Sequence, residues 1–416
     1  MPADAPLRIA YLTYRGKPHV GGQGVYTRHL SKALVDLGHT VEVLGGQPYP
    51  RLDERVPLVE LPSLDIYNEH FPMRMPWIGE LKHFADFVEV TSFSLGTFPE
   101  PLAFSIRAWQ HLRTRRGEFD LVHDNQSLGY GLLAIERDGL PVVATIHHPI
   151  TVDRRLEMEH AENGWQRWNK GRWYAFTKMQ TRVASRMKRV ITVSENSRDD
   201  IHKDHQVPLQ NMAIVPVGVD QEQFRPLPHI QRVPGRLITT ASADVAMKGL
   251  AYLLEAVAKI RTERPCDLVI IGKPKEEGRA MRTLEQYGLT DAVQWVYGVS
   301  DERIVELYAE AELAVVPSLY EGFSLPAIEA QCSGVPLVAT TGGALREVVG
   351  PDGETAFTCP PGDAAALAAR INFAMDDPEL ATKVGLAGRQ RVIENWTWRH
   401  TAEKTVEQYR IRLKQG

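Results

Sequence analysis

The 416-residue chain is longer than one hydrophobic core usually supports, so two domains are expected, and its 43% hydrophobic and 24% charged residues describe an ordinary globular protein. A formal net charge of −4, without a polybasic run or zinc-type cysteine spacing, argues against nucleic-acid binding. Three scattered cysteines, Cys266, Cys332 and Cys359, point to a reducing cytoplasm, and no apolar run reaches the ~18 residues that a membrane span needs.

Residues 1–7 are short and polar before the first strand, so no signal peptide is expected. Apolar strand-like runs then alternate with helical patterns to the end of the chain, which predicts parallel α/β architecture. Residues 9–13, 41–44, 121–123, 142–146 and 190–193 are expected to build a first sheet. Residues 237–240, 268–271, 293–297, 313–316 and 337–339 are expected to build a second. Between them, 219–236 carries Pro226, Pro228 and Pro234 with little apolar periodicity and reads as the linker. The last helix, after Trp396-Thr397-Trp398, is amphipathic.

Gly21-Gly22-Gln23-Gly24 follows the first strand and opens a helix with apolar Val25, Leu30, Leu34 and Leu37, stopped at Gly38. Glycines there let the backbone approach a ligand, and the helix N terminus favours an anion. Thr27 stands where a dinucleotide fingerprint needs its third small residue, which disfavours a nicotinamide cofactor. Residues 71–79, from Phe71 to Gly79, are apolar and broken by proline. Residues 153–189 interleave Trp165, Trp168 and Trp173 with an excess of basic residues that ends at Arg189. Both segments suit contact with an anionic membrane surface, and both are equally consistent with packed aromatics beneath a solvated charged face.

Ala144-Thr145-Ile146-His147-His148-Pro149 sets two histidines at the carboxyl end of a buried strand, where open-sheet sites gather. His147 is placed there to donate a hydrogen bond to a ligand hydroxyl and orient it. Adjacent strand residues point to opposite faces, which speaks against a metal held by the pair. Lys248 follows the strand 237–240 at the entry to another helix. The segment Glu321-Gly322-Phe323-Ser324-Leu325-Pro326-Ala327-Ile328-Glu329-Ala330 leaves the strand 313–316. Ser324 is expected to be an N-cap, Pro326 to sit in the first turn and Gly334 to end the helix. Free backbone amides from about Phe323 would then meet an anion, and Glu329 would face a vicinal diol such as a ribose.

In that Gly-Phe-Ser-Leu-Pro context, Glu321 and Glu329 resemble the E-x7-E motif of GT-B glycosyltransferases, in particular the retaining glycosyltransferase family 4. The Gly21-Gly22 loop, His147 within Thr145-Ile146-His147, and Lys248-Gly249 resemble further positions of that family, and the likeness covers nearly the whole chain. It implies two Rossmann-like domains facing across a cleft. Residues 1–222 would bind the acceptor, with a C-terminal helix from about 396 to 416 packed back on them, and 223–395 would bind the donor. It also implies retaining transfer of a hexose from a UDP- or GDP-type sugar to a hydroxyl acceptor, a lipid-linked or cell-envelope precursor among the choices. The sugar nucleotide is a substrate, and no cofactor is expected.

By the same resemblance His147, Glu321 and Lys248 are catalytic. Gly21, Gly22, Lys248, Val299, Gly322, Phe323, Ser324, Leu325 and Glu329 bind the donor. No Asp-x-Asp occurs, so the metal-binding signature of the other major glycosyltransferase fold is missing and metal-independent transfer is expected. One departure stands out: the family's arginine five or six residues before the lysine is replaced by Ala243 and Ser242, with Arg198 as a candidate substitute on phosphate. A sugar-nucleotide epimerase and a non-catalytic binding subunit of the same fold remain as alternatives.

Overall fold

A computed structural model describes residues 5–16, 22–66, 74–159, 161, 163–241, 245–275 and 278–415. The chain divides into two compact units, Met1–Pro216 with Thr401–Gly416, and Val217–His400. Each holds one wholly parallel sheet.

The first sheet runs β3-β2-β1-β4-β5-β6-β7. Its strands are β1 (Arg8–Thr13), β2 (Thr40–Gly45), β3 (Leu58–Glu60), β4 (Leu121–Asn125), β5 (Val142–Ile146), β6 (Val190–Thr192) and β7 (Met212–Ile214). The second runs β10-β9-β8-β11-β12-β13, from β8 (Val233–Thr240), β9 (Asp267–Ile271), β10 (Val293–Val296), β11 (Ala311–Val316), β12 (Leu337–Thr340) and β13 (Phe357–Cys359). In both, the chain starts at an inner strand, winds outward one way and then returns to wind the other. The switch points fall between β1 and β4 and between β8 and β11, and the crevice outside those strands' carboxyl ends is where such sheets bind ligands.

Several expected boundaries move. The three-residue strands β3, β7 and β13 are additions, too short to show periodicity in sequence. β8 begins at Val233, so the end of the expected linker is strand, and β10 stops one residue before Tyr297. β4 continues past its apolar start through His123, Asp124 and Asn125, all fully buried. Each polar group there finds a partner, as burial demands. His123 lies between the hydroxyls of Tyr409 and Thr145, and Asp124 accepts from Ser127 Oγ and from the Leu128 amide.

Helices close both faces of each sheet by ordinary amphipathic logic. In Leu250–Arg261, Leu253, Leu254, Val257 and Ile260 recur on one face and pack on Leu237, Leu268 and Leu313. Burying each of those large side chains contributes ~1.5–3 kcal/mol. Residues 401–416, most of the helix Trp398–Lys414, belong to the first unit. There Thr401 Oγ1 donates to the Pro216 carbonyl at 2.9 Å and Arg412 pairs with Glu136 at 2.6 Å.

Candidate functional site

In the second unit the loops after β8 and β11 are locked to one another. The Leu319 amide donates to the Met247 carbonyl at 2.7 Å. Gly249 has φ +66°, and a Cβ there would lie 1.9 Å from the Pro317 carbonyl oxygen, so only glycine allows this approach. Lys248 is thereby set beside Glu321: its Nζ donates to Glu321 Oε1 at 2.8 Å, and Ser318 Oγ donates to the same oxygen at 2.7 Å. Glu321 is 9% exposed. Its carbonyl accepts from the Ala344 amide at 2.8 Å, and a Cβ on Gly343, at φ +61°, would stand 2.4 Å from that carbonyl oxygen. An ammonium and a carboxylate held this way form a small preorganised dipole, and two ammonium protons remain available to a ligand.

The helix Leu325–Cys332 begins three residues after Gly322 and has Pro326 in its first turn. Leu325 and Ala327 have no intrahelical acceptor for their amides, as at any helix start. Ser324 occupies the N-cap position, but contrary to expectation its side chain makes no cap bond, because φ +100° takes it out of the extended conformation that an N-cap hydroxyl needs. Its Oγ is buried and has no hydrogen-bond partner among the described residues. Strain and an orphaned hydroxyl together are features of ligand sites. Phe323 is buried edge-on against Trp396, with ring centroids 5.8 Å apart.

Glu329 lies half-buried on this helix. Burial, and then the charge of Asp301, push its carboxyl up from 4.5 to about 7. Burial and the Glu329 charge in turn raise the Tyr308 phenol, whose hydroxyl meets Thr240 Oγ1 at 3.1 Å. Asp301 opens the helix Asp301–Glu310 two residues after Val299, which is partly exposed in the loop following β10.

In the first unit, His147 follows β5 directly and is held from several sides. Gln126, at the non-glycine φ of +59°, accepts the His147 amide at 2.8 Å and donates its own side-chain amide to the His148 carbonyl at 2.8 Å. Ser197 Oγ donates to the His147 carbonyl at 2.9 Å. The ring stands edge-on to Tyr26, centroids 4.6 Å apart, and its Nε2 meets Asn125 Oδ1 at 2.8 Å. Burial, and then the charge of His148, depress the His147 imidazole to about 3, so it is neutral. Nε2 is taken by Asn125, so Nδ1 is the ring nitrogen left to a ligand, and no described residue bonds to it. His148 turns elsewhere, to Asp153 Oδ2 at 2.8 Å.

Gly22 begins the helix Gly22–Asp36 and is exposed, while Gly21 lies outside the described residues. So do Ser242 and Ala243, and residues 71–73 of the apolar segment. Arg198 pairs with its neighbour Asp199 at 2.9 Å. Trp77, Ile78, Trp165 and Trp168 are exposed, whereas Trp173 packs on Phe98 at 5.4 Å. Trp168 lines an open cavity of about 530 Å³ with Arg167, Arg172 and Lys178, and a second of about 430 Å³ is bordered by Arg154, Arg167, Lys203, Glu159 and Asp204. The sequence reading missed Asn125, Gln126, Ser318, Gly343, Asp301 and Tyr308; a Gly-Gly pair right after β12 was the one signal of their kind in plain view.

Comparison with known proteins agrees across the chain. Residues 20–223 match the family described as Glycosyltransferase Family 4, and residues 230–391 match Glycosyl transferases group 1. The MMP alpha-(1->4)-mannosyltransferase of Mycolicibacterium hassiacum is 48% identical over 404 residues, covering 97% of this chain and 98% of that protein. Sucrose-phosphate synthase from Thermosynechococcus elongatus superposes with a TM-score of 0.76 at 21% identity, over 99% of this chain and 100% of that one. HepE of Anabaena, in complex with UDP and glucose, superposes at 0.71 with 18% identity, over 96% and 98% of the two chains.

Proposed function

The chain is a glycosyltransferase of family 4 with the GT-B fold, and from that premise we propose that it is a retaining, metal-independent α-mannosyltransferase. It takes the sugar from a nucleoside-diphosphate mannose of GDP or UDP type and passes it to a hydroxyl of a glycan acceptor. The mannosyl choice follows the relative at 48% identity. The chemistry rests on one observation, the Lys248–Glu321 pair set beside the start of the Leu325–Cys332 helix.

Departure of a nucleoside diphosphate leaves growing negative charge on its oxygens, and fixed donors there stabilise the transition state. Lys248 Nζ, the first helix amides and Ser324 Oγ are such donors, with Gly322 and Phe323 shaping the loop that presents them. Glu321 keeps Lys248 oriented and offers oxygen to sugar hydroxyls, Glu329 accepts from the ribose diol, and Val299 borders the base. His147 receives a sugar hydroxyl proton in a hydrogen bond and positions the reacting sugar. The two glutamates are grips, not the acid and nucleophile of a glycosidase.

The acceptor belongs to the first unit, whose exposed Trp165 and Trp168 suit a lipid-linked acceptor at an anionic membrane. Among the described residues no helix is long and apolar enough to cross a membrane, and all three cysteines are buried thiols, in keeping with a cytoplasmic setting. Incubation with GDP-mannose, UDP-glucose and related donors, with and without oligomannoside or lipid extract, tests the proposal through nucleoside diphosphate release. Release from a mannose donor that rises with a mannoside acceptor is expected. Release from another sugar alone, or none from any donor, overturns it.

A further inference from the structure

The hydrogen bonds around His147 admit only one assignment of protons. The Gln23 carbonyl can only accept, and it receives Thr27 Oγ1 at 2.8 Å and Asn125 Nδ2 at 3.2 Å. Having given its proton to Gln23, the Thr27 hydroxyl can only accept from Asn125 Nδ2, at 3.1 Å. The Asn125 amide is therefore pinned with its nitrogen toward the first turn of the Gly22–Asp36 helix and its oxygen toward His147. A carbonyl oxygen cannot donate, so the proton of the neutral ring must sit on His147 Nε2, 2.8 Å away. Nδ1 is left as a bare lone pair.

We propose that Asn125 is a positioning residue of the transfer reaction: it fixes His147 as the Nε2–H tautomer, so that Nδ1 stands as an acceptor for a sugar hydroxyl. This rests on the glycosyltransferase reading above. Asn125 and Thr27 are fully buried, so neither has water as an alternative partner, and the amide cannot turn over without breaking both of its bonds to the helix. The same bonds connect the start of the glycine-rich loop's helix to the histidine. His147 in this form has no proton to offer on Nδ1, which separates hydrogen-bond acceptance from general-acid catalysis as its task.

The test is nitrogen NMR on full-length protein labelled with 15N-histidine, with the His147 signals identified by their loss in His147→Gln. The parent protein should show the Nε2–H tautomer. Asn125→Leu should shift the ring toward Nδ1–H or a mixture and lower kcat about 10- to 100-fold, with donor KM changed by less than about 2-fold. Asn125→Asp, which keeps an acceptor oxygen in place, should retain the Nε2–H form and serves if the leucine variant does not fold. An Nδ1–H ring in the parent, or Asn125→Leu with parental tautomer and rate, would overturn the role. Failure of the glycosyltransferase reading would show differently, as no nucleoside diphosphate release by the parent protein on any donor.

Discussion

The two units wind their strands in the same order from the same kind of switch point, yet the groups that they set at the strand ends differ in charge. In the second unit an ammonium, two carboxylates and a helix start lie after β8 and β11. In the first, at the ends of β4 and β5, the corresponding groups are a side-chain amide, a second amide on a left-handed residue and an imidazole depressed to about 3. Under the proposed function the contrast separates two tasks. Receiving the charge of a departing diphosphate needs ions and oriented dipoles, whereas orienting a sugar hydroxyl needs neutral groups whose donors and acceptors are fixed in advance.

The contrast breaks most readily at Lys248. Lys248→Ala should reduce kcat about 10²- to 10³-fold, the usual cost of removing a donor aimed at developing negative charge. Steady-state nucleoside diphosphate release reads this directly, and a rate within twofold of the parent would remove Lys248 from the chemistry. Glu329→Ala should weaken donor binding by ~1.5–3 kcal/mol, the worth of a hydrogen bond to a charged group, measured by titration calorimetry.

The same residue predicts a pH dependence. Its carboxyl is raised from 4.5 to about 7, so the folded protein favours the protonated form and loses stability as pH rises through that interval. A ribose diol is held best by the ionised form. Donor affinity should therefore be full above about pH 7 and fall as pH drops below it, and Glu329→Gln should flatten the profile. Gly249→Ala should destabilise the second unit by more than the ~1–2 kcal/mol of its left-handed φ, because the new Cβ would also meet the Pro317 carbonyl, visible as a lower melting temperature. The smallest effect is expected at Arg198. Its partner Asp199 is well exposed, so Arg198→Ala should change turnover by less than about threefold, and a larger loss would reinstate it as a phosphate ligand.

What the sequence revealed, and what it hid, divides along physical lines. The long buried strands were legible because a parallel sheet covered on both faces reads as an apolar run, as at Val142–Ile146. Lys248, Glu321 and His147 were legible because each follows such a run at the ligand-binding end. Asn125 was hidden because it prolongs a strand with polar residues, and nothing local shows that Tyr409, almost three hundred positions on, supplies a partner for His123 in the same strand. Ser324 was misread because a serine before Leu-Pro looks like an ordinary N-cap, and nothing in the local pattern marks its positive φ. The direction of the His147 hydrogen bond depended on Gln23 and Thr27, which share no local pattern with it.

The division of tasks between the units is tested most directly by one paired measurement, equilibrium donor dissociation constants alongside single-turnover rates for Glu329→Ala and His147→Ala. Glu329→Ala should weaken binding, whereas His147→Ala should leave the dissociation constant near that of the parent and slow the sugar-transfer step. Unchanged binding in Glu329→Ala, or parental turnover in His147→Ala, would contradict the account.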